Sequence, residues 1–374
     1  MSEAQSAPAR RNEAAGRAQS GSQNYAALDL GTNNCRLLIA TPTAASAGSG
    51  KPGSVNSGPG FRIVDAYSRI VRLGEGLSQS GRLSDAAMNR AIGALSVCAD
   101  KIRRRGVVKI KAIATQACRS AENGEDFIDR VNKSTGLALE IITPHQEAQL
   151  SVAGCLNLLD METDAALVLD VGGGSTEISW VDLKGPGLAD GARRFNPARL
   201  PSKAWISVPM GVVTLAERFP EAEGQGEVVF RAMVDAVKAP IAAFVEAESL
   251  RPVFDSGRVH LIGTSGAITS LAGLHLNLRR YERSRVDGLW MTRGECQAVA
   301  ERLARQTTAQ RGAEPCIGPD RCDLVLAGAA ILQAVQELWP CERVRVADRG
   351  LREGLLMTLM AEPPRRRGRR RRRR

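Results

Sequence analysis

Residues 27–34 read A-L-D-L-G-T-N-N, and residues 168–175 read V-L-D-V-G-G-G-S. In each stretch an apolar run ends at an Asp, and one aliphatic residue, a Gly and small polar residues follow it. A β-rich run comes next in both cases, so each stretch is predicted to be the turn of a β-hairpin. Because the same layout occurs twice, the sequence predicts two domains of similar plan.

Both turns have the composition of phosphate-binding loops. Gly permits positive φ and close backbone approach, so successive N–H groups can converge on phosphate oxygens. Hydroxyl and amide side chains add donors, and the Asp is suited to hold a hydrated cation that neutralises the phosphates. The expected phosphate-binding residues of the two turns are Gly31, Thr32, Asn33, Asn34, Gly172, Gly173, Gly174 and Ser175.

A third Gly-rich turn, I-G-T-S-G at residues 262–266, joins a predicted strand to a predicted helix. The N-terminus of that helix is suited to hold an anion. A single D-x-G turn is more often an ordinary tight turn, because short Gly motifs have high false-positive rates. Two matched copies and a third turn favour phosphate binding over that interpretation.

Strand and helix patterns alternate around these turns, which predicts an α/β protein. The predicted strands are 25–30, 35–40, 62–71, 107–114, 137–143, 166–170, 176–181, 204–209, 258–262 and 343–346. The predicted helices are 84–104, 122–134, 211–219, 228–247, 265–274, 292–305 and 320–338. Irregular segments over 42–60 and 184–202 are predicted loops.

The formal net charge of +11 is concentrated at the end of the 374-residue chain, where residues 365–374 contain nine Arg. The remainder is nearly balanced, and its 43% hydrophobic content is typical of a globular protein. Disordered tails are predicted over 1–23 and 362–374. The Arg tail has two interpretations, a solubility segment or an electrostatic tether to polyphosphate or nucleic acid.

Cysteine and histidine placement argues against a zinc protein. The eight Cys form no C-x-x-C pair, and the three His are scattered along the chain. Unpaired thiols suit a reducing cytosol. The N-terminus lacks the apolar core of a signal peptide, and no apolar run reaches membrane-spanning length. We therefore expect a cytoplasmic protein without membrane contact.

Six motifs together resemble a known family. In chain order they are A-L-D-L-G-T-N-N (27–34), V-R-L-G-E-G-L (71–77), A-T-Q-A-C-R-S-A-E-N (114–123), I-T-P-H-Q-E-A-Q-L (142–150), L-D-V-G-G-G-S-T-E (169–177) and I-G-T-S-G-A (262–267). This order resembles that of the exopolyphosphatase and guanosine pentaphosphate phosphatase (Ppx/GppA) family. The resemblance runs from about residue 25 to about residue 355.

The resemblance implies a fold and a cofactor. The fold is α/β, with two ribonuclease-H-like domains of the actin, sugar kinase and chaperone ATPase superfamily and a cleft between them. The implied domains are 24–142 and 143–349, and a helix over 350–361 is considered as packing back on the first. The chain resembles the short, two-domain type, without the C-terminal metal-phosphohydrolase domain of longer members. Mg²⁺ or another divalent cation is the implied cofactor.

The resemblance also implies roles for five side chains. Glu147 matches the catalytic base, and Arg119 matches a contact to the substrate phosphates. Asp170 and Glu177 match metal-associated carboxylates, and Asp29 lies beside the same site. The implied reaction is in-line attack of water on a terminal phosphoryl group, with Glu147 orienting and deprotonating the water.

Read without the family, Glu147 and Arg119 keep simpler interpretations. T-P-H-Q at 143–146 predicts a helix start, with Thr143 as N-cap, Pro at the first position and Gln146 completing a capping box. Glu147 then falls in the first turn, where a carboxylate commonly serves only the helix dipole. Arg119 could pair with Glu122 or Glu125 on the surface.

The chain departs from the family pattern at three places. Gln146 precedes Glu147 where two adjacent Glu are frequent, and Gln149 stands where Arg is frequent. The first turn ends T-N-N at 32–34 where S-N-S is common, so an amide replaces a hydroxyl. These departures put an auxiliary carboxylate, one positive charge and the terminal-phosphate geometry in question.

The expected function is exopolyphosphatase, which releases the terminal phosphate of inorganic polyphosphate. The alternative is a guanosine pentaphosphate 5′-phosphohydrolase, which needs the same base and the same loops. A sugar-kinase-like phosphotransferase ranks lower, because the R-L-G-E-G and Q-E-A motifs accompany the loops here. A non-catalytic polyanion-binding scaffold is disfavoured by the intact carboxylate set. The expected partners are polyphosphate or guanosine pentaphosphate, and a homodimer is left open.

Overall fold

The computed structural model describes residues 23–43, 60–184, 200, 202–222 and 224–361. Almost all of the predicted N-terminal tail, all of the Arg-rich tail and most of the predicted loops 42–60 and 184–202 lie outside these residues. The described strands are β1 Asn24–Leu30, β2 Asn34–Pro42, β3 Phe61–Ile70, β4 Val107–Ala114, β5 Glu140–Ile141, β6 Ala165–Val171, β7 Thr176–Asp182, β8 Ser202–Val208, β9 Val259–Thr264, β10 Trp290–Thr292 and β11 Arg343–Ala347.

Fourteen helices accompany the strands in the described part of the chain. They are α1 Leu77–Ser80, α2 Asp85–Arg104, α3 Gln116–Ser120, α4 Gly124–Thr135, α5 Pro144–Cys155, α6 Val212–Arg218, α7 Gly226–Ala242, α8 Arg251–Asp255, α9 Gly266–His275, α10 Arg283–Val286, α11 Arg293–Arg305, α12 Thr308–Ala313, α13 Val325–Leu338 and α14 Leu351–Ala361.

The strands form two sheets built on one plan. The first has the order β3-β2-β1-β4-β5, and the second has the order β10-β11-β9-β6-β7-β8. In both, three antiparallel strands joined in sequence are extended by parallel strands beyond the first of them, and β10 is added to the second sheet antiparallel to β11. The predicted α/β class with two ribonuclease-H-like units is therefore confirmed.

Most long elements follow their sequence patterns closely. Helix α2 begins after Ser84, whose side chain accepts the backbone N–H of Ala87, and it ends at Arg104 as predicted. The predicted strand over 137–143 is shorter, because only Glu140 and Ile141 pair with β4. Short elements such as α3 and β10 escaped prediction, since three to five residues carry too little periodicity.

Two main cores lie against the sheets. The larger core packs the six-stranded sheet against helices that include α7, α11 and α13, with Trp180 of β7 edge to face with Trp339 at 5.2 Å. The second core packs β1 and β2 against α2 and α4. The turns at 31–34 and 172–175 lie at the ends of strands that these cores bury, so the packing of the strands fixes the positions of the turns.

Helices α5 and α14 tie the two sheets together. A Cβ built at Gly154 of α5 would lie 1.9 Å from the carbonyl oxygen of Gly350. A Cβ at Gly354 of α14 would lie 2.0 Å from that of Leu150. Helix α14 packs on β1, whereas α5 packs on β6, β7 and β8. We therefore propose the division into 24–142 and 143–349, with α14 returning to the first unit.

Gly154→Ala is expected to destabilise the protein, because the new methyl group would force the two helices apart. Overpacking of this kind costs about 1–3 kcal/mol or more. Gly93→Ala is the matched control, because Gly93 also lies within a helix and a Cβ there meets nothing within 4 Å. The control is expected to gain up to about 1 kcal/mol. Urea unfolding of both variants measures the difference, and equal midpoints would contradict the contact.

Candidate active site

A cleft of about 420 Å³ opens where the ends of β1, β4, β6 and β9 meet. Its lining includes both Gly-rich hairpin turns, the third turn after β9 and the start of α5. Two contacts bridge the sheets beside it: Glu217 accepts the N–H of Gly76 and the hydroxyl of Ser78, and Arg72 pairs with Asp323 at 3.1 Å. The predicted phosphate-binding turns therefore line one cavity.

The two hairpin turns touch each other. A Cβ at Gly173 would lie 3.0 Å from both the backbone nitrogen of Asn33 and Cβ of Thr32, so a side chain at this position would press on the first turn. The N–H groups of Val212 and Val213, at the start of α6, donate to the carbonyls of Gly172 and Gly173 at 3.0 and 2.8 Å. These bonds fix the second turn from α6, and the N–H of Gly172 closes the turn by donating to the carbonyl of Ser175 at 2.9 Å.

Glu147 lies at the cleft because α5 begins as its sequence predicts. Thr143 accepts the N–H of Gln146 at 3.2 Å, and Gln146 accepts the N–H of Thr143 at 2.9 Å, which completes the capping box. Glu147 follows in the first turn and is only 8% exposed. A carboxylate that served the helix dipole alone would have no need of such burial.

Arg119 is bound to Glu147. Both of its terminal nitrogens lie 3.3 Å from Oε2 of Glu147, and Nη1 also donates to the carbonyl of Ile142 at 2.7 Å. The alternative surface pairing is not seen, since Glu122 pairs with Arg82 instead. The Arg119 guanidinium therefore fixes the Glu147 carboxylate without itself lining the cleft.

Three further carboxylates share the cleft with Glu147. Asp170 of β6 faces Glu177 of β7 in the strand register, and the Ser151 hydroxyl donates to Oδ2 of Asp170. Asp29 of β1 holds the corresponding place in the first hairpin, opposite Arg36 of β2. All of these residues line the cleft apart from Ser151.

Burial raises the pKa of every one of these acids. It raises the pKa of Glu177 to about 7, with the neighbouring Asp170 adding to the effect and hydrogen bonds from Ser175 and Ser207 opposing it. Burial likewise raises the pKa of Asp29 to about 6, opposed by Arg36. The pKa of Glu147 lies well above its usual value because of burial and of Glu177, with Arg119 opposing the shift. The raised pKa makes Glu147 a stronger base than an exposed glutamate, which is what a general base requires.

The donor set fits a hydrated cation better than a fully protein-bound one. Oε2 of Glu177 is buried and has no hydrogen-bond partner among the described residues. Over the same residues no three Asp, Glu, His or Cys side chains converge on one point as a metal cage. Mg²⁺ is commonly held by one or two carboxylates while it keeps several waters and binds substrate phosphates. Asp170 and Glu177 match that requirement.

Several arginines of the cleft escaped sequence reasoning. The missed side chains that line it are Arg36, Arg321, Arg349 and Arg352. Arg36 carried a usable signal, because the hairpin register sets it opposite Asp29. The other three come from distant segments that only the tertiary fold brings to the cleft. With Arg283, which also lines the cleft, these arginines offset most of the charge of the six carboxylates in the same lining, Asp29, Glu147, Asp170, Glu177, Asp348 and Glu353.

The third turn also reaches the cleft. Ser265 has φ of +108°, a conformation rare for a residue with a side chain, and its hydroxyl accepts the N–H of Ala267 at 3.3 Å. Thr264 donates its hydroxyl to the carbonyl of Arg349 at 2.6 Å. Strain of this kind is typical of functional loops.

All of the predicted site residues except Arg119 line the cleft. Those that line it are Asp29, Gly31, Thr32, Asn33, Asn34, Glu147, Asp170, Gly172, Gly173, Gly174, Ser175 and Glu177. Arg119 lies behind Glu147 instead. Two touching Gly-rich turns beside buried carboxylates and arginines define a class of protein: an α/β protein with a phosphate-binding cleft between two sheets of one plan.

Known proteins point the same way. The sequence model of the Ppx/GppA phosphatase family matches residues 53–362. Exopolyphosphatase 2 of Mycobacterium tuberculosis (strain ATCC 25618 / H37Rv) is 27% identical over 347 residues, which cover 89% of this chain and 98% of that protein. The chain therefore belongs to the Ppx/GppA phosphatase family.

Solved structures share the fold over nearly their whole length. The crystal structure of the Aquifex aeolicus member of the Ppx/GppA family gives a TM-score of 0.66 at 27% identity, covering 90% of this chain and 97% of that one. An exopolyphosphatase from Cytophaga hutchinsonii ATCC 33406 gives 0.73 at 22% identity, covering 90% and 98%, which is a likeness of fold. None of the helices in the described residues is long and apolar enough to cross a bilayer.

Because the buried acids have raised pKa values, we expect the free energy of unfolding of the cation-free protein to fall as the pH rises from 5 to 8. The folded-state pKa values of Asp29 and Glu177, about 6 and about 7, exceed the usual 3.8 and 4.5. At Asp29 and Glu177 the folded protein therefore binds more protons than the unfolded chain, and the stability gained there is lost as the pH passes the folded values. Burial lowers the pKa of His260 to about 4, which offsets part of this loss below pH 6.5. Circular-dichroism melting in EDTA at pH 5.5 and 8 measures the loss.

Glu177→Gln should show a shallower decline of melting temperature, because an amide does not titrate. Glu125→Gln is the control, since Glu125 is exposed at the start of α4 and should leave the wild-type slope intact. Identical slopes in all three proteins would contradict the raised pKa of Glu177.

Proposed function

We propose that this protein is an exopolyphosphatase, which hydrolyses the terminal phosphoanhydride of inorganic polyphosphate and releases phosphate. The observation that carries the proposal is Glu147, a buried carboxylate of raised pKa at a cleft lined by two Gly-rich turns. The curated relative is itself named an exopolyphosphatase. Arg36, Arg321 and the pair Arg349 and Arg352 come from three separate segments, and they suit a substrate that carries negative charge on every unit.

In this proposal the residues divide the work. Backbone N–H groups of the turns at 31–34 and 172–175 hold the terminal phosphates, apart from those of Gly31 and Gly172, which donate within their own turns. Glu147 accepts a proton from the attacking water, which is positioned in line with the leaving phosphate. Arg119 orients Glu147 in the free enzyme, and it would contact a substrate phosphate when its guanidinium turns from Glu147 into the cleft. The arginines stabilise charge that spreads over the phosphoryl oxygens.

A divalent cation belongs to the same proposal. Asp170 and Glu177 would hold it, with Asp29 beside them, and Mg²⁺ is the ion that best suits oxygen ligands and phosphates. When bound, the cation supplies charge neutralisation for the phosphate chain. Its binding would displace protons from the carboxylates that hold it, and its positive charge would offset the repulsion among the ionised groups.

Guanosine pentaphosphate is the alternative substrate, since its 5′ phosphate chain offers the same terminal phosphoanhydride to the same groups. Phosphate release with Mg²⁺ from polyphosphate chains of graded length, compared with guanosine pentaphosphate, separates the two. The expected result is a higher kcat/KM for polyphosphate. The reverse ranking would favour the alternative. An Arg-tail contact to the polyanion and a homodimer are further parts of the proposal.

Glu147→Gln is expected to lower kcat for phosphate release about 10²–10⁴-fold, because the amide cannot accept the proton of water. Chain binding, measured by calorimetry with polyphosphate, should persist because the turns and arginines are unchanged. Glu125→Gln is the matched control, since Glu125 also lies in the first turn of a helix but is exposed. It should keep wild-type turnover, and a Glu147→Gln enzyme that did the same would refute the assignment.

A further inference from the structure

Glu177 is held through only one of its two oxygens. The hydroxyls of Ser175 and Ser207 both donate to Oε1, each at 2.8 Å. Oε2 is buried and has no hydrogen-bond partner among the described residues, although the residue as a whole is only 2% exposed. Leaving a carboxylate oxygen buried and unpaired is costly, so such an atom suggests a ligand that binds there.

Ser207 owes its position to the sheet. Strands β7 and β8 are antiparallel, and their register places Ser207 directly opposite Glu177. The end of β8 is secured by the Thr176 hydroxyl, which donates to the carbonyl of Met210 at 2.8 Å. Ser207 thus approaches Glu177 from a paired strand, whereas Ser175 approaches it from the phosphate-binding turn itself.

Ser175 cannot serve two acceptors at once. A serine hydroxyl has one proton to donate, and in this structure Ser175 gives it to Glu177. Ser175 also lies in the turn at 172–175 that the proposed function assigns to phosphate binding. If Ser175 turns its hydroxyl to a phosphate oxygen, Oε1 of Glu177 loses one of its two donors.

We propose that Ser207 is a positioning residue. It keeps its hydrogen bond to Glu177 when the Ser175 hydroxyl leaves Glu177 and donates to a substrate phosphate instead. Oε2 then stays directed to the cation whether or not a phosphate chain is bound. This inference rests on the proposed function, because it takes Glu177 as a cation ligand and Ser175 as a phosphate contact. Substrate and cation can then bind without competing for one hydroxyl.

The two serines should therefore fail in different ways. Without a phosphate chain, Ser175 still holds Glu177 in Ser207→Ala, so cation affinity should change less than about twofold. With the chain bound, Ser175 has moved and no donor remains, so affinity should fall about tenfold or more, as for a hydrogen bond to a charged group. Ser175→Ala should instead weaken chain binding and leave cation affinity near that of the wild type.

Electron paramagnetic resonance of free Mn²⁺ measures cation affinity directly, without turnover. Titrations of the full chain are run with and without a methylene-bridged triphosphate, which cannot be hydrolysed. Ser207→Thr retains the hydroxyl and should restore wild-type affinity. Ser202→Ala is the matched control on the same strand, because the Ser202 hydroxyl donates to the carbonyl of Ala204 and does not contact Glu177. Melting temperatures check that each variant is folded.

A tenfold loss confined to Ser207→Ala with the triphosphate present, and rescue by Ser207→Thr, would support the inference. An unchanged affinity, or a loss of equal size with and without the triphosphate, would overturn it. Wild-type protein that binds no Mn²⁺ would remove both the inference and the cation part of the proposed function. Wild-type binding with an unaffected Ser207→Ala variant would remove the inference alone.

Discussion

The crossing of α5 and α14 is the contact on which the site depends. Helix α5 carries Glu147 in its first turn and packs on the second sheet, while α14 packs on β1 of the first sheet. Backbone touches backbone where Gly154 and Gly354 lie, so no side chain separates the helices. Since β1 also carries Asp29, this crossing sets the distance between acids that belong to different sheets. The positions of Glu147 and Asp29 in the cleft therefore depend on the contact between α5 and α14.

Charge in the cleft is balanced at close quarters. Asp29, Glu147, Asp170 and Glu177 lie close together, and burial raises the pKa of each, which favours the neutral form. Arg36 and Arg119 oppose that preference from the protein side, and Arg352 contributes although burial lowers its own pKa. In the proposed function, the cation would neutralise the acids and the arginines would neutralise the phosphate chain, so the two ligands together would complete the charge balance of the cleft.

The sequence predicted the parts of this molecule that repeat or that extend over many residues. The two hairpin turns, the long helix α2 and the capping box at Thr143 follow local rules of strand, helix and cap formation. Arg321 and Arg349 could not be found in this way, because their place at the cleft depends on loops that pack only in the folded protein. The local interpretation, which paired Arg119 with Glu122 or Glu125, was wrong for a related reason. The actual partner, Glu147, lies on another helix, and sequence spacing does not predict contacts between helices.

The repeated hairpin also explains how one backbone plan yields an asymmetric site. In the first hairpin the register pairs Asp29 with Arg36, and in the second it pairs Asp170 with Glu177. The backbone positions correspond, but one pair carries no net charge when ionised and the other carries two negative charges. In the proposed function the second hairpin therefore attracts the cation, whereas Arg36 of the first attracts phosphate. Because the two turns touch at Gly173, both would act on one phosphate chain.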